Sequence, residues 1–101
     1  MVHVIATIGI KEGKRSEFVA IFKENVKNVV REKVCVEYRP TIDASTGISA
    51  QGRDDNVVII IEKWESLEDL MTHLTAPHML SYREKVKDLV GEVSLKVLED
   101  A

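Results

Sequence analysis

Residues 57–66 read VVIIIEKWES, and the first five of them are apolar on consecutive positions. Successive side chains of a β-strand point to opposite faces, so a strand of this composition needs cover on both faces. Ser66, which closes the stretch, is a favoured helix N-cap, and acidic residues follow it where the first helical turn would lie. The stretch therefore predicts a central strand that is followed directly by a helix.

The residues before this stretch predict a strand, a helix and a second strand. Apolar side chains alternate over residues 2–10, which is typical of a strand, and recur three or four positions apart over residues 14–31, as on an amphipathic helix. Residues 34–42 are rich in β-branched side chains, although Pro40 lacks an amide hydrogen and favours a sheet edge or a bulge. Residues 43–56 are mostly small and polar, which predicts a long hairpin connection and a possible lid.

The residues after the central stretch predict two helices and a last strand. A stripe of leucine and methionine follows Ser66 and stops near Thr75. Pro77, favoured at the first position of a helix, starts a second helix that we expect to end at Gly91, with Val90 on its inward face. Alternation over residues 93–97 predicts the last strand. This element order is that of an α+β, ferredoxin-like split βαβ sandwich with an antiparallel sheet.

Size and charge exclude several classes of protein. The 101 residues fit a single domain spanning 1–101, and 17 acidic against 14 basic side chains argue against a nucleic-acid partner. No stretch approaches the roughly 20 apolar residues that a bilayer-spanning helix needs, so we expect a cytoplasmic protein with no membrane partner. The single Cys35 cannot form an intrachain disulfide; we expect it to be a packing residue, with a thiol nucleophile as the alternative.

The sheet itself suggests a homodimer. In a split βαβ domain the helices cover one face of the sheet, so the apolar side chains on the second face of residues 57–61 would stay exposed. A contiguous apolar face of this kind usually marks an interaction site, and a domain this small gains stability from a partner. Two sheets stacked face to face would form a dimeric α/β barrel, with a pocket between sheet and helices in each subunit.

The chain also resembles a known family. The residues that carry the resemblance are VVIIIEKWES at 57–66, His73, Pro77-His78-Met79 and Tyr82, together with Tyr38-Arg39-Pro40. Taken together they resemble the antibiotic biosynthesis monooxygenase (ABM) domains, and within them the bacterial quinol monooxygenases. The resemblance implies oxidation of a quinol, or a similar small electron-rich aromatic, by O₂. It implies no flavin, haem, metal or other cofactor.

In such a reaction a base must deprotonate the quinol, and hydrogen-bond donors must stabilise the phenolate. Histidine suits the base role because its unperturbed pKa is near neutrality. The resemblance makes His73 and His78 the leading base candidates, and Arg83 a candidate to stabilise the phenolate. The expected substrate-binding residues are Trp64, Tyr82, Glu62, Tyr38, Arg39 and Met79.

Two of these expectations carry a structural condition. Glu62 would have a raised pKa and could take part in proton transfer if it faces the pocket, but we expect it instead to pair with a nearby Arg or Lys. Tyr38 and Arg39 are adjacent on a strand and point to opposite faces, so at most one of them can line the pocket.

The sequence departs from other branches of the family. Polyketide-tailoring members carry an Asn where this chain has Ile60 and a Tyr where it has Leu70, and haem-degrading members use an Asn where it has Thr7. Their mechanisms are therefore not transferred to this chain. Asp69 and His73 lie four apart on a helix, but spacing fixes no third ligand, so we expect no metal.

Two alternative functions remain open on the sequence. The chain could be a non-catalytic dimeric protein that binds or senses small aromatics, because a fold does not dictate chemistry. It could also be an isomerase of a small phosphorylated signal molecule, whose phosphate Arg39, Arg53 and Arg83 would have to bind. A pocket in which Arg, His and Tyr converge would favour an enzyme over a binding protein.

Overall fold

The computed structural model describes residues 1–32 and 34–101, which form a four-stranded antiparallel sheet covered on one face by helices. The elements are β1 (Val2–Ile10), α1 (Arg15–Val29), β2 (Cys35–Thr41), β3 (Val57–Trp64), α2 (Leu67–Leu74), α3 (Pro77–Val86) and β4 (Val90–Leu98). The strand order is β2-β3-β1-β4. This is the ferredoxin-like α+β fold that the sequence predicts. None of the helices in these described ranges has the length and apolar character needed to cross a membrane.

Strand β3 lies inside the sheet, between β1 and β2, and has apolar side chains on both faces. Val58, Ile60 and Trp64 face the helices and are buried, whereas Ile59 and Ile61 face the other way and are half-buried. The pairing partner Arg39 lies opposite Ile61 on that second face. The run of consecutive apolar residues thus reflects a strand that needs cover on two sides.

The end of α3 differs from the sequence prediction. The helix ends at Val86, and Val90 and Gly91, which were expected to be its last turn, are the first residues of β4. Val90 pairs with Ile10 of β1, and the Lys11 amide donates to the Leu89 carbonyl at 2.9 Å. Pairing with β1 therefore replaces the last helical turn. Pro40, as predicted, lies on an edge strand.

Strand β4 is the other edge strand, and the helices do not cover it. Val93, Leu95 and Val97 point to the helix side of the sheet, since they pair with the buried Ile8, Ala6 and Val4 of β1. Their exposed fractions are nevertheless 57%, 49% and 44%. This leaves a gap between α3 and β4.

The break between α2 and α3 brings two histidines near each other. Ser66 caps α2, because its Oγ accepts from the Asp69 amide at 3.1 Å, as its position predicts. The helix stops at Thr75, and α3 starts with Pro77 at its first turn. His73 thus lies in the last turn of α2, and His78 in the first turn of α3.

Candidate functional site

A pocket of about 370 Å³ lies between the sheet and α3 and extends into the gap beside β4. Its walls are mostly apolar, and its titratable side chains are Tyr38, Glu62, His73, Tyr82 and Arg83, with Lys87 at one end. The volume falls within the range of roughly 300–1,000 Å³ typical of small-molecule sites. A second, larger groove of about 640 Å³ runs between α1 and α3, but its lining is mainly polar and charged. The first pocket is the better candidate, because its apolar walls surround a buried imidazole and a buried carboxyl group.

Glu62 presents a buried carboxyl group to this pocket. It is 7% exposed, and its Oε1 accepts a hydrogen bond from Trp64 Nε1 at 3.0 Å. Burial raises the pKa of Glu62 to about 7, and the Trp64 hydrogen bond offsets part of that rise. Within residues 1–32 and 34–101 no Arg or Lys pairs with this carboxyl, so the ion pair expected from the sequence is not found; the group lies in an apolar pocket and bonds to Trp64 instead. At neutral pH the group can therefore be either protonated or ionised.

His73 lines the same pocket as Glu62, and its ring packs against Trp64. Its imidazole is 1% exposed and packs against Trp64 and Tyr38, with ring centroids 4.4 and 5.4 Å away. Burial lowers the pKa of His73 below its usual value, and a hydrogen bond with Glu32 opposes that effect. The ring is therefore neutral at pH 7 and can accept a proton.

Glu32 is the residue of this region that the sequence did not suggest. Its Oε2 lies 2.9 Å from His73 Nδ1 and 3.2 Å from His78 Nε2. These three ligand-type atoms lie within 4.8 Å of one another, so the cluster could hold a metal ion, or two ring N–H groups could donate to one carboxylate oxygen. Asp69, which lies four positions before His73, is not part of this cluster, since its carboxylate accepts from Ser66 Oγ at 2.8 Å.

The two base candidates occupy different places. His73 lines the apolar pocket, whereas His78 is half-buried at the polar groove between α1 and α3. Both contact the same carboxylate, but only the His73 ring is next to space that a pocket ligand could fill. The two histidines on either side of the helix break thus line different cavities.

The predicted substrate-binding residues also divide into those that line the apolar pocket and those that do not. Tyr38, Glu62, Met79 and Tyr82 line the pocket, as does Arg83, the candidate to stabilise the phenolate. Trp64 is fully buried, does not line the pocket and donates a hydrogen bond to Glu62. Arg39 points to the other face of the sheet, is exposed and pairs with Glu37 at 3.4 Å. The opposite orientations of Tyr38 and Arg39 follow from strand alternation, as expected.

The pocket phenols belong to an aromatic cluster centred on Phe22. Its ring stacks on Tyr38 at 5.3 Å and meets Tyr82 edge-on at 5.6 Å. Burial raises the pKa of Tyr38 and of Tyr82 well above the usual value. Both therefore remain neutral phenols that can donate a hydrogen bond to a ligand oxygen.

Cys35 lies outside this pocket, at the start of β2. Its Sγ is 3.7 Å from the Glu37 carbonyl oxygen, and the side chain is half-buried. Burial, followed by the charges of Glu32 and Glu62, raises the pKa of the thiol to about 11. A reactive thiolate would need a lowered pKa, so the residue fits the packing role rather than the nucleophile alternative.

Fold and pocket together define a ferredoxin-like α+β domain with an apolar pocket that contains a buried imidazole and a buried carboxyl group. The family model of antibiotic biosynthesis monooxygenases matches residues 1–85. The probable quinol monooxygenase YgiN of Escherichia coli K12 is 36% identical over 101 residues, covering 98% of this chain and 97% of that protein. The chain belongs to the antibiotic biosynthesis monooxygenase family.

Solved structures agree with this assignment. The structure of Rv0793 from Mycobacterium tuberculosis has a TM-score of 0.81 and 26% identity, covering 99% of this chain and 94% of that one. A crystal structure described as an antibiotic biosynthesis monooxygenase has a TM-score of 0.83 at 19% identity, covering 100% and 99%. Because this second structure is only 19% identical, its similarity shows the fold alone.

Proposed function

We propose that this protein is a cofactor-independent monooxygenase that oxidises a quinol, or a similar small electron-rich aromatic, with O₂. The observation that carries the proposal is the apolar pocket in which the buried His73 and Glu62 both take part. Membership of the ABM family supports an oxygenase activity. The name of the 36% identical relative supports a quinol as the substrate class.

The proposed chemistry starts with deprotonation. Ground-state O₂ is a triplet and reacts slowly with closed-shell molecules, so the substrate must supply electrons one at a time. A quinol anion transfers one electron to O₂, and the resulting radical pair recombines at a ring carbon. The overall balance is one quinol and one O₂ giving one hydroxyquinone and one water. The protein has to generate the anion and to exclude bulk water.

The pocket residues take distinct roles in this scheme. His73 accepts the proton of the first hydroxyl, since its lowered pKa keeps it neutral at pH 7. Tyr82 and Arg83 donate hydrogen bonds to the phenolate oxygen, and Glu62 binds the second hydroxyl. His78 and Arg39 lie outside the pocket, so the proposal assigns them no contact with substrate.

We also propose that the active form is a homodimer in which two sheets stack as a barrel. Ile5, Ile59 and Ile61 supply half-buried apolar side chains on the face that the helices do not cover. A second copy would remove this surface from water. The exposed Val93 and Leu95 on β4 line the pocket as well, so a partner that extends over this edge would also close the pocket.

The pocket favours this enzyme over the two alternatives. An isomerase of a phosphorylated molecule would need several convergent cations, but of Arg39, Arg53 and Arg83 only Arg83 lines the pocket, and Lys87 is the other cationic side chain of its lining. A passive carrier of aromatics gains nothing from burying a carboxyl group, because desolvation of that group is costly. The buried imidazole and carboxyl are better explained by proton transfer.

The test is oxygen consumption by purified, metal-stripped protein with menadiol as substrate, corrected for autoxidation. We expect His73→Ala to lower kcat by roughly 10²–10⁴-fold with the fold intact. Met71→Ala is the control, because Met71 is exposed on the same helix as His73 and does not line the pocket. Unchanged turnover in His73→Ala would refute the base assignment. Quinone binding without any protein-dependent oxygen uptake would show a binding protein instead.

A further inference from the structure

We infer that Glu32 is a positioning residue for the proposed base: its carboxylate holds the His73 imidazole with Nδ1 protonated and leaves Nε2 free to accept the substrate proton. The inference rests on the proposed function, because it names what prepares the base in the same pocket. Glu32 itself does not line the pocket. It therefore acts through His73.

The hydrogen-bond geometry sets the tautomer. Glu32 Oε2 lies 2.9 Å from His73 Nδ1, and a carboxylate oxygen can only accept. A neutral imidazole carries one N–H, so a hydrogen bond at Nδ1 requires the proton to be there. The lone pair is then on Nε2, for which residues 1–32 and 34–101 offer no hydrogen-bond partner, while the ring lines the pocket.

The carboxylate is held by its own surroundings. Glu32 follows the end of α1, where its amide donates to the Val29 carbonyl at 2.9 Å and its carbonyl accepts from the Cys35 amide at 3.0 Å. His78 lies 3.2 Å from the same Oε2 and can supply a second N–H donor to it. The side chain of Glu32 is 19% exposed, so solvent screens it only in part. A fixed carboxylate of this kind can orient a neighbouring ring.

The same arrangement stabilises the product of proton transfer. When the quinol O–H bond breaks and an N–H bond forms at Nε2, the His73 ring becomes a cation and Glu32 keeps its negative charge. The other titratable groups that face the ring are His78 and Arg83 from α3, and Tyr38 and Glu62 from the sheet. Arg83 and His78 oppose a positive charge on His73. Glu32 is the group that contacts the ring and favours the charge.

The direct test is nitrogen-15 NMR of the imidazole rings in the intact protein. The chain has three histidines, so the signals can be assigned by single substitutions. We expect wild-type His73 to be protonated on Nδ1, and its pKa to fall by roughly 1 unit in Glu32→Gln. Glu17→Gln removes an exposed carboxylate from α1 and should leave the His73 titration unchanged. A His73 proton on Nε2 in the wild-type spectrum overturns the inference even if Glu32→Gln does not fold.

Turnover separates this inference from the proposed function. With menadiol, we expect Glu32→Gln to lower kcat by roughly 10²–10⁴-fold with KM little changed, and to have no further effect in a His73→Ala background. If the wild-type protein is active and Glu32→Gln changes neither kcat nor the His73 pKa, the inference about Glu32 is overturned while the proposed function stands. A wild-type protein without turnover refutes the proposed function and leaves the NMR result to stand. Stoichiometric Zn²⁺ binding that Glu32→Gln abolishes would overturn the inference, because it assigns the cluster to a metal.

Discussion

Replacing the buried carboxyl of Glu62 by an amide should make the protein's stability less dependent on pH. Glu62→Gln keeps a side-chain oxygen that can accept from Trp64 Nε1, so the shape of the site and its hydrogen bond are retained. What the variant loses is the ability to ionise in an apolar pocket. The comparison therefore isolates the cost of placing a charge there.

The magnitude follows from the pKa of this carboxyl in the folded and unfolded states. Below about pH 4.5 the group is protonated in both states and has no effect on the free energy of unfolding. As the pH rises through the unfolded value of 4.5 toward the folded value of about 7, the unfolded chain releases its proton first. Unfolding becomes more favourable over this window, and the shift corresponds to a loss of about 3 kcal/mol above pH 8.

The assay is urea unfolding followed by circular dichroism at pH 5 and pH 8, at one protein concentration. We expect Glu62→Gln to gain roughly 2–3 kcal/mol over the wild type between those two conditions, because part of the wild-type loss is already present at pH 5. The control Glu65→Gln changes an exposed carboxyl just beyond β3, and its free energy of unfolding should depend on pH in the same way as that of the wild type. If Glu62→Gln and the wild type show the same pH dependence, the carboxyl is not desolvated and the reasoning about this pocket fails.

Two further predictions concern assembly and the first turn of α2. Ile59→Glu places a charge on the uncovered face of β3 and should turn the proposed dimer into monomers in sedimentation velocity. The control Lys23→Glu, at an exposed position of α1, should leave the dimer intact. If Ile59→Glu remains a dimer, the interface lies elsewhere. Ser66→Ala removes the cap of α2 and should lower the free energy of unfolding by about 1 kcal/mol. Ser81→Ala, at an exposed site within α3, is the comparison, and equal stability of the two variants would contradict the capping argument.

Most of the fold was predictable because each element has a local signal. The alternation in β1, the double-faced β3 and the Ser66 cap all depend on neighbours within a few residues. The end of α3 was not predictable in this way. Val90 is apolar at helical spacing from Val86, and only its pairing with Ile10, 80 positions earlier, makes it a strand residue.

The candidate site was predictable only in part, for the same reason. Strand alternation correctly separates Tyr38 from Arg39, and the position of Glu62 after an apolar run correctly raises the question of its burial. Glu32 had no such signal, because its contact with His73 spans 41 positions and joins the end of α1 to the end of α2. Which of His73 and His78 lines the pocket depends on how α3 is oriented after the break from α2. That orientation is set by packing between elements and not by the local sequence.

The half-buried thiol of Cys35 has a consequence for the proposed quinol oxidation. Quinones are electrophiles that add to thiolates, and a protein that forms them in its pocket exposes its cysteines to alkylation. A pKa raised from 9.0 to about 11 makes the thiolate fraction of Cys35 at neutral pH about a hundredfold smaller than that of an ordinary thiol. The lone cysteine of the chain is thus expected to react with a quinone more slowly than an ordinary thiol does.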